Sequence, residues 1–304
     1  MDKFNKTIPL TSGIPAVNII EEYNDLFVSL ILIVVVSLVA QLLRVLISKV
    51  FASKSWLRIL LHEIIATAEM CVTCFELGIV AENYGIEYYA AFYFASSLWW
   101  ALTWKEAYAF PNGHLEDYLK NETDGGTAAV VTTVEILTAC FVFKLLVKPL
   151  WALKYIPIHE EKLVSLCSAD LTVRPLFGGL IEGSGTFIFS VVSKIVVNRL
   201  ESELLATVLN SVMDTILVVL AYDYSGGYFN PVLATSMQYG CEGTTTMDHL
   251  VVYWVGGLLD HEYSNWLVYG KRKPNNVVCT KTVGKADFGD IYSEITNNII
   301  AATL

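Results

Sequence analysis

A proline that begins a short helix just after a membrane-length apolar run can carry polar chemistry into hydrocarbon. Gly226-Gly227-Tyr228-Phe229-Asn230-Pro231-Val232 follows the apolar run 204–221 and has this form. Pro231 at the first helical position loses nothing, because that amide would be unpaired anyway, and its fixed φ starts the helix sharply. Asn230 at the cap brings a carboxamide whose NH2 can donate to the oxygen of a passing solute. The positive helix end beside it opposes cations and protons. The plainer reading of these residues is an ordinary N-cap. Glu63 and Glu182 are the second feature with chemical content, since each lies inside an apolar run. An ionisable group at membrane depth costs several kcal/mol unless it is partnered or faces water. A carboxylate accepting N–H bonds from an irregular loop would satisfy both groups, and Thr67 and Thr186, four residues on, join them as candidate loop supports. The alternative is that both glutamates sit near an interface and reach for water.

These groups need spans to hold them. Hydrophobic residues form 54% of the 304 and charged residues 16%, with a mean hydropathy of +0.51, so the chain reads as a multi-span membrane protein. Residues 26–43 contain no charge over eighteen positions, enough to cross about 30 Å of hydrocarbon. Further apolar runs cover 57–81, 88–104, 128–146, 176–197 and 204–222. Arg44, Lys49, Lys54 and Arg58 follow the first run, which places the next loop in the cytoplasm and the N-terminus outside or in a lumen. No convincing small-residue cleavage site follows that run, so it reads as a signal anchor or an extra span and not a removed signal.

The chain also repeats itself. Glu63-x-x-x-Thr67 and Glu182-x-x-x-Thr186 lie 119 positions apart, and Pro111 and Pro231 lie 120 apart. Each half therefore reads as a span with a buried Glu, a second span, a Pro-started half-helix and a third span. The expected division is an N-terminal segment 1–56 with an extra helix, a channel domain 57–259 (repeats 57–150 and 174–259), and a polar tail 260–304.

The segment Asp223 to Val232 and the paired Glu-x-x-x-Thr spans resemble the aquaporin (major intrinsic protein) family. The resemblance covers roughly residues 57–259. It implies an all-α inverted-repeat bundle with two re-entrant half-helices, assembled as a homotetramer with one pore per subunit. Two departures stand out. Phe110-Pro111-Asn112 occupies the first signature position, so an aromatic ring replaces the Asn. Leu233 stands where water-selective members carry an Arg, and matching the loop backward places Val218 and Gly227 at the other constriction positions. Such degenerate signatures resemble the unorthodox superaquaporin branch, insect aquaporin-12-like proteins above all. That branch implies an intracellular membrane, endoplasmic reticulum or vesicle, with the plasma membrane as the alternative. Without the Arg the constriction lacks a fixed charge, and glycerol or hydrogen peroxide joins water as an expected solute. Phe110 and Leu233 could equally seal the pore by dewetting.

The run 249–259 begins like a sixth span, yet Asp260-His261-Glu262 follows where about twenty apolar residues are needed. The expectation is an incomplete last helix, which keeps open a second reading: a non-conducting protein with a structural or subunit-interaction role. Glu69, Glu76 and Glu135 lack repeat partners and are placed at interfaces or the pore mouth. His114, Glu116 and Asp117 are placed at a cytoplasmic vestibule, with no metal. Trp99, Trp100 and Trp104 read as an interfacial cluster. All six cysteines are expected to be small apolar fillers. Asn5 and Asn121 match glycosylation sequons, with Asn121 expected on the cytoplasmic side and unmodified. A net charge of −10 excludes nucleic acid as a partner. No zinc-protease, nucleophile-elbow or phosphate-loop spacing is present, so no enzyme activity and no cofactor are expected. The partners are the lipid bilayer, like subunits and a small neutral solute.

Overall fold

The structure, a computed structural model, describes residues 16–53 and 55–258, with side chains described from residue 24 onward. Among the described residues the secondary structure is helical, apart from one isolated bridge between Ser168 and Glu242. In chain order the helices are α1 (Ala16–Val50), α2 (Trp56–Tyr84), α3 (Ile86–Thr103), α4 (Pro111–Leu119), α5 (Gly125–Trp151), α6 (Pro157–Val164), α7 (Pro175–Arg199), α8 (Glu203–Ser225), α9 (Pro231–Gln238) and α10 (246–258). Five of them, in α1, α2, α5, α7 and α8, are long and apolar enough to cross a membrane. The 18-residue α3 has spanning length too, but five tyrosine and tryptophan residues and two serines lower its hydropathy. Both α5 and α10 contain a π-helical turn, Phe143–Val147 and Leu250–Val255.

Local chemistry sets the ends. Ser55 Oγ accepts from Arg58 N at the start of α2, and Ser202 Oγ from Leu205 N at the start of α8. Asp124 caps α5 through Gly126 N and Thr127 N. The Thr127 hydroxyl and these amides hold the Asp124 carboxyl below its ordinary value. Thr245 and Asp248 form a reciprocal capping box that opens α10. Gly226, at φ +86°, ends α8 in the left-handed conformation that lets the chain turn into the Asn230 loop.

One face of α1 packs against α2: Leu26, Ser29, Ile33, Ser37, Ala40 and Arg44 recur every three or four residues and are buried. Its other faces expose Phe27, Ile31, Val34, Leu38 and Leu42, as a lipid-facing helix does. Arg44 anchors this helix. Its Nη1 meets Glu69 Oε2 at 2.6 Å, and Trp99 Nε1 and Trp104 Nε1 donate to the same carboxylate at 3.0 and 2.9 Å. The expected interfacial roles of Glu69 and of these indoles are therefore corrected: they form a buried knot joining α1, α2 and α3. Trp100 is itself buried, stacked on Trp104. Glu76 is likewise inside and not at a pore mouth, accepting from Trp151 Nε1 at 2.6 Å and lying 3.3 Å from His159 Nε2.

Glycines bring α7 and α10 together. A Cβ on Gly183 would lie 2.8 Å from Gly256 O, and one on Gly256 would lie 2.6 Å from Gly179 O. Both obstacles are backbone, so only glycine permits this approach. The described part of α10 thus packs on α7 through Leu258. The expected break at Asp260, the tail 260–304, Asn5 and Cys279 lie outside the described residues. Cys71 and Cys74 are buried fillers as expected, and Cys140 is exposed. Cys167 and Cys241 instead form a disulfide, which corrects the uniform reading of the cysteines. The pair was invisible in sequence because 74 residues separate its members.

Gly183→Ala is expected to lower stability by about 1–3 kcal/mol through overpacking. Gly78→Ala, where a Cβ meets nothing within 4 Å, should be neutral or slightly stabilising; thermal unfolding midpoints in detergent compare the two. Arg44→Met leaves Glu69 buried without its cation and should cost about 3–5 kcal/mol. The same assay reads it against Lys154→Met, whose exposed pair with Glu160 should change stability by at most about 1 kcal/mol.

Candidate functional site

The two Pro-started helices are approached by matched loops. In the first, Tyr108 N donates to Glu63 Oε1 and Oε2 at 2.9 and 3.1 Å, and Ala109 N donates to Oε2 at 2.9 Å. In the second, Tyr228 N donates to Glu182 Oε1 at 3.2 Å and Phe229 N to Oε2 at 2.6 Å. Ser225 Oγ adds a further bond to Glu182 Oε1 at 2.6 Å. The correspondence extends to the backbone. Ala109 and Phe229, each two residues before its proline, have φ of +49° and +48°. Side chains rarely adopt this conformation, and its cost persists only where surrounding bonds over-determine it. In each loop the carboxylate supplies those bonds, since the amide of the strained residue is itself a donor.

The same symmetry explains a size exchange. A Cβ on Gly185 would lie 2.0 Å from Phe229 Cε1, so the large ring of the second loop requires glycine on α7. In the first repeat the corresponding residues are Ala66 and Ala109, both buried and small. Thr67 and Thr186 do not reach the loops. Thr186 Oγ1 donates to Glu182 O within its own helix, and Thr67 Oγ1 is buried without a hydrogen-bond partner. Their expected loop-supporting role is corrected accordingly: the Thr186 hydroxyl turns to the backbone carbonyl four residues earlier in its own helix, and the Thr67 hydroxyl meets no acceptor.

Asn230 caps α9 in the expected way, with Oδ1 accepting from Val232 N and Leu233 N at 3.0 and 3.3 Å. Its Nδ2 is not left free for a solute. It donates to Ala109 O at 2.8 Å and approaches Met70 Sδ at 3.5 Å, a weak acceptor. The carboxamide therefore joins the two repeats at their loops. Phe110 precedes Pro111 in extended conformation without a side-chain cap, and Asn112 turns away, donating from Nδ2 to Gly257 O at 2.8 Å. The first carboxamide thus bonds α10, and Asn112 Oδ1 is buried without a partner.

Val218 and Gly227 come together, since a Cβ on Gly227 (φ +63°) would lie 2.6 Å from Val218 O. Val218, Ala221, Phe229, Val232 and Leu233 belong to one buried apolar cluster. The interior also holds a group that the sequence reading passed over. Asp214, midway along α8, accepts from Tyr93 OH at 2.9 Å and so ties α8 to α3. A lone aspartate in the middle of the run 204–222 was the available signal.

Around the second loop a polar clasp closes the fold. Tyr228 OH and Gln238 Nε2 donate to Asp170 Oδ2 at 2.6 and 2.8 Å, and Gln238 Oε1 accepts from Asp170 N at 2.7 Å. Tyr253 OH donates to Ser225 O at 2.8 Å. The Cys167–Cys241 disulfide and backbone bonds from Ala169 N to Glu242 O and from Glu242 N to Cys167 O pin the segment before α7 to the turn after α9.

Beneath the first loop, His114 is buried and not at an open vestibule. Its Nε2 lies 3.1 Å from Glu135 Oε1 and 3.3 Å from Glu63 Oε1, and its ring packs edge-on against Tyr108. Glu135 is fully buried, which corrects its placement at a pore mouth. One ligand atom from each of Glu63, His114 and Glu135 lies within 4.8 Å of the others, an arrangement able to hold a metal ion. Glu116 stays near the surface beside Lys120 and Lys194, and Asp117 accepts from Tyr108 OH.

No protein-family model matches the chain. The chain is 29% identical over 240 residues to "Aquaporin-11" of Milnesium tardigradum, covering 79% of this chain and 86% of that one. It is 25% identical over 239 residues to "Putative aquaporin-12A" of Homo sapiens, covering 73% and 79%. A shorter match, 32% over 110 residues, joins it to "Aquaporin SIP2-1" of Zea mays and covers 36% and 44%.

Glu182→Ala removes the acceptor of two loop amides and a buried hydroxyl, at about 1–3 kcal/mol per stranded donor. Hydrogen exchange of peptides spanning 226–231 should accelerate in this variant. Thr186→Val, whose hydroxyl serves only its own helix, should leave that exchange unchanged; equal exchange in both variants would remove Glu182 as the loop's support.

Proposed function

Because this chain belongs to the aquaporin family of multi-pass membrane channels, we propose that it conducts water or another small neutral solute passively through its helical bundle. The observation that carries this reading is the pair of matched loops, each with a Glu-braced, strained residue two positions before a proline that starts a short helix. In this reading α4 and α9 are re-entrant half-helices whose positive ends face each other, and their fields oppose cations. Repeat one runs 57–150 and repeat two 174–259, with 1–56 as an added segment and 260–304 as an aqueous tail. Val218, Gly227 and Leu233 form a constriction without a fixed charge, which favours glycerol and hydrogen peroxide beside water. Asp214 and Tyr93 supply the polar contact next to it.

The protein assembles as a homotetramer in this proposal, using the apolar faces that α5 and α7 expose through Leu137, Phe141, Leu180 and Ile188. Disulfides persist in oxidising compartments, so the Cys167–Cys241 bridge supports a lumenal or extracellular position for the segment 152–174. The basic residues Arg44, Lys49 and Arg58 put the α1–α2 turn on the opposite, cytoplasmic side. The resemblance to superaquaporins favours an intracellular membrane, endoplasmic reticulum or vesicle.

A second reading has its own observation. Asn230 spends its amide hydrogens inside the chain, and the residues around it are apolar, as in a pore closed by dewetting. Stopped-flow shrinkage of proteoliposomes separates the two. Conduction predicts osmotic water, glycerol or peroxide flux above that of empty vesicles, with Asn230→Asp reducing it by about tenfold, equal to about 1.4 kcal/mol. Flux equal to that of empty vesicles for all three solutes favours the closed, structural role.

A further inference from the structure

The cluster beneath the first loop holds more charge than its hydrogen bonds balance. Glu63 and Glu135 have side-chain exposures of 1% and 0%, and His114 lies between them at 9%. With a neutral imidazole the cluster carries two negative charges, and with an imidazolium it carries one. A further proton shared by the carboxylates or a bound cation would bring the cluster to neutral, and charge buried without compensation is costly. We propose that Glu63, His114 and Glu135 bind a divalent transition-metal ion of the zinc class.

The geometry fits that ion. Ligand atoms about 2.0–2.1 Å from a tetrahedral zinc stand about 3.3–3.4 Å apart. His114 Nε2 lies 3.3 Å from Glu63 Oε1 and 3.1 Å from Glu135 Oε1, so small adjustments turn both contacts into edges of a coordination tetrahedron. One imidazole and two carboxylates form a donor set suited to zinc, and two negative charges offset its two positive ones. An independent observation comes from Glu135. Its Oε2 is fully buried and has no hydrogen-bond partner, so the carboxylate keeps unused acceptor capacity at the cluster. The Glu63 carboxylate is already oriented by Tyr108 N and Ala109 N, the kind of outer bond that fixes a metal ligand. The three ligands come from α2, α4 and α5, so one ion would clamp the first short helix to two spans. Binding displaces the proton from His114 Nε2, which makes affinity rise with pH. The site does not depend on the channel reading, since metal content is measured without transport.

The test uses the full chain, purified in detergent with a tag free of histidine, loaded with zinc and desalted. Elemental analysis should find about one zinc per chain, and cobalt in its place should give the visible absorption of a four-coordinate site. Glu135→Gln and His114→Gln should each weaken zinc binding by about 10–100-fold. Glu160→Gln, at an exposed position of α6, should keep wild-type content. Where a variant does not fold, the cobalt spectrum and stoichiometry of the wild-type chain decide. Folded wild-type protein without stoichiometric zinc or a cobalt spectrum overturns the proposal and leaves a proton-sharing cluster. Undiminished binding in both folded variants overturns it as well.

Discussion

A carboxylate in hydrocarbon must be met by donors, and this fold is organised around meeting several of them. Three lie on α2 alone. Glu63 takes two loop amides, Glu69 takes a guanidinium and two indoles, and Glu76 takes an indole and faces a histidine. Each draws a different part of the chain to the same helix. With no water to substitute, every such donor is costly to lose, so α2 acts as the spine on which the first loop, α1 with α3, and the end of α5 are aligned. Glu182 on α7 repeats this duty for the second loop.

The likeness of the two loops is close where backbone needs a partner and loose elsewhere. Strain at Ala109 and Phe229 agrees within a degree of φ, because both amides aim at a carboxylate held by a rigid helix. Side chains diverge around that fixed frame. A ring against glycine in one half is matched by two alanines in the other, and a carboxamide directly precedes the proline at Asn230 but not at Phe110. Asn112 has taken its amide to α10, while Asn230 reaches back to Ala109 O and holds the halves together. One asparagine thus does the joining that two equivalent ones would share.

The regions outside the repeat are attached by different means. The added α1 is held through a buried ion pair and small residues, with lipid-type side chains on its remaining faces. The segment before α7 is attached by a disulfide and a clasp of Asp170, Tyr228 and Gln238, groups compatible with an aqueous side of the membrane. The glycine contact of α7 with α10 needs neither charge nor water, which suits two helices meeting inside the bundle.

Much of this was legible in the chain. Apolar run lengths mark the helices, because 1.5 Å per residue and a fixed hydrocarbon thickness leave few alternatives. The spacing of Glu63, Pro111, Glu182 and Pro231 exposes the repeat, since a helix-starting proline and a buried acid each have strict local requirements. What could not be read was the choice of partners. Glu69, Glu76, Glu135, Asp214 and His114 are single charged or polar letters in sequence, equally at home at an interface. Only the packing of α1, α3 and α5 around α2, and of α8 on α3, decides that they are buried and which donor each receives. The Cys167–Cys241 bridge and the retreat of Asn230 from solvent to Ala109 O belong to the same class. Local sequence determines which groups demand a partner, whereas distances between segments far apart in the chain decide who supplies it, and those distances exist only once the helices have packed.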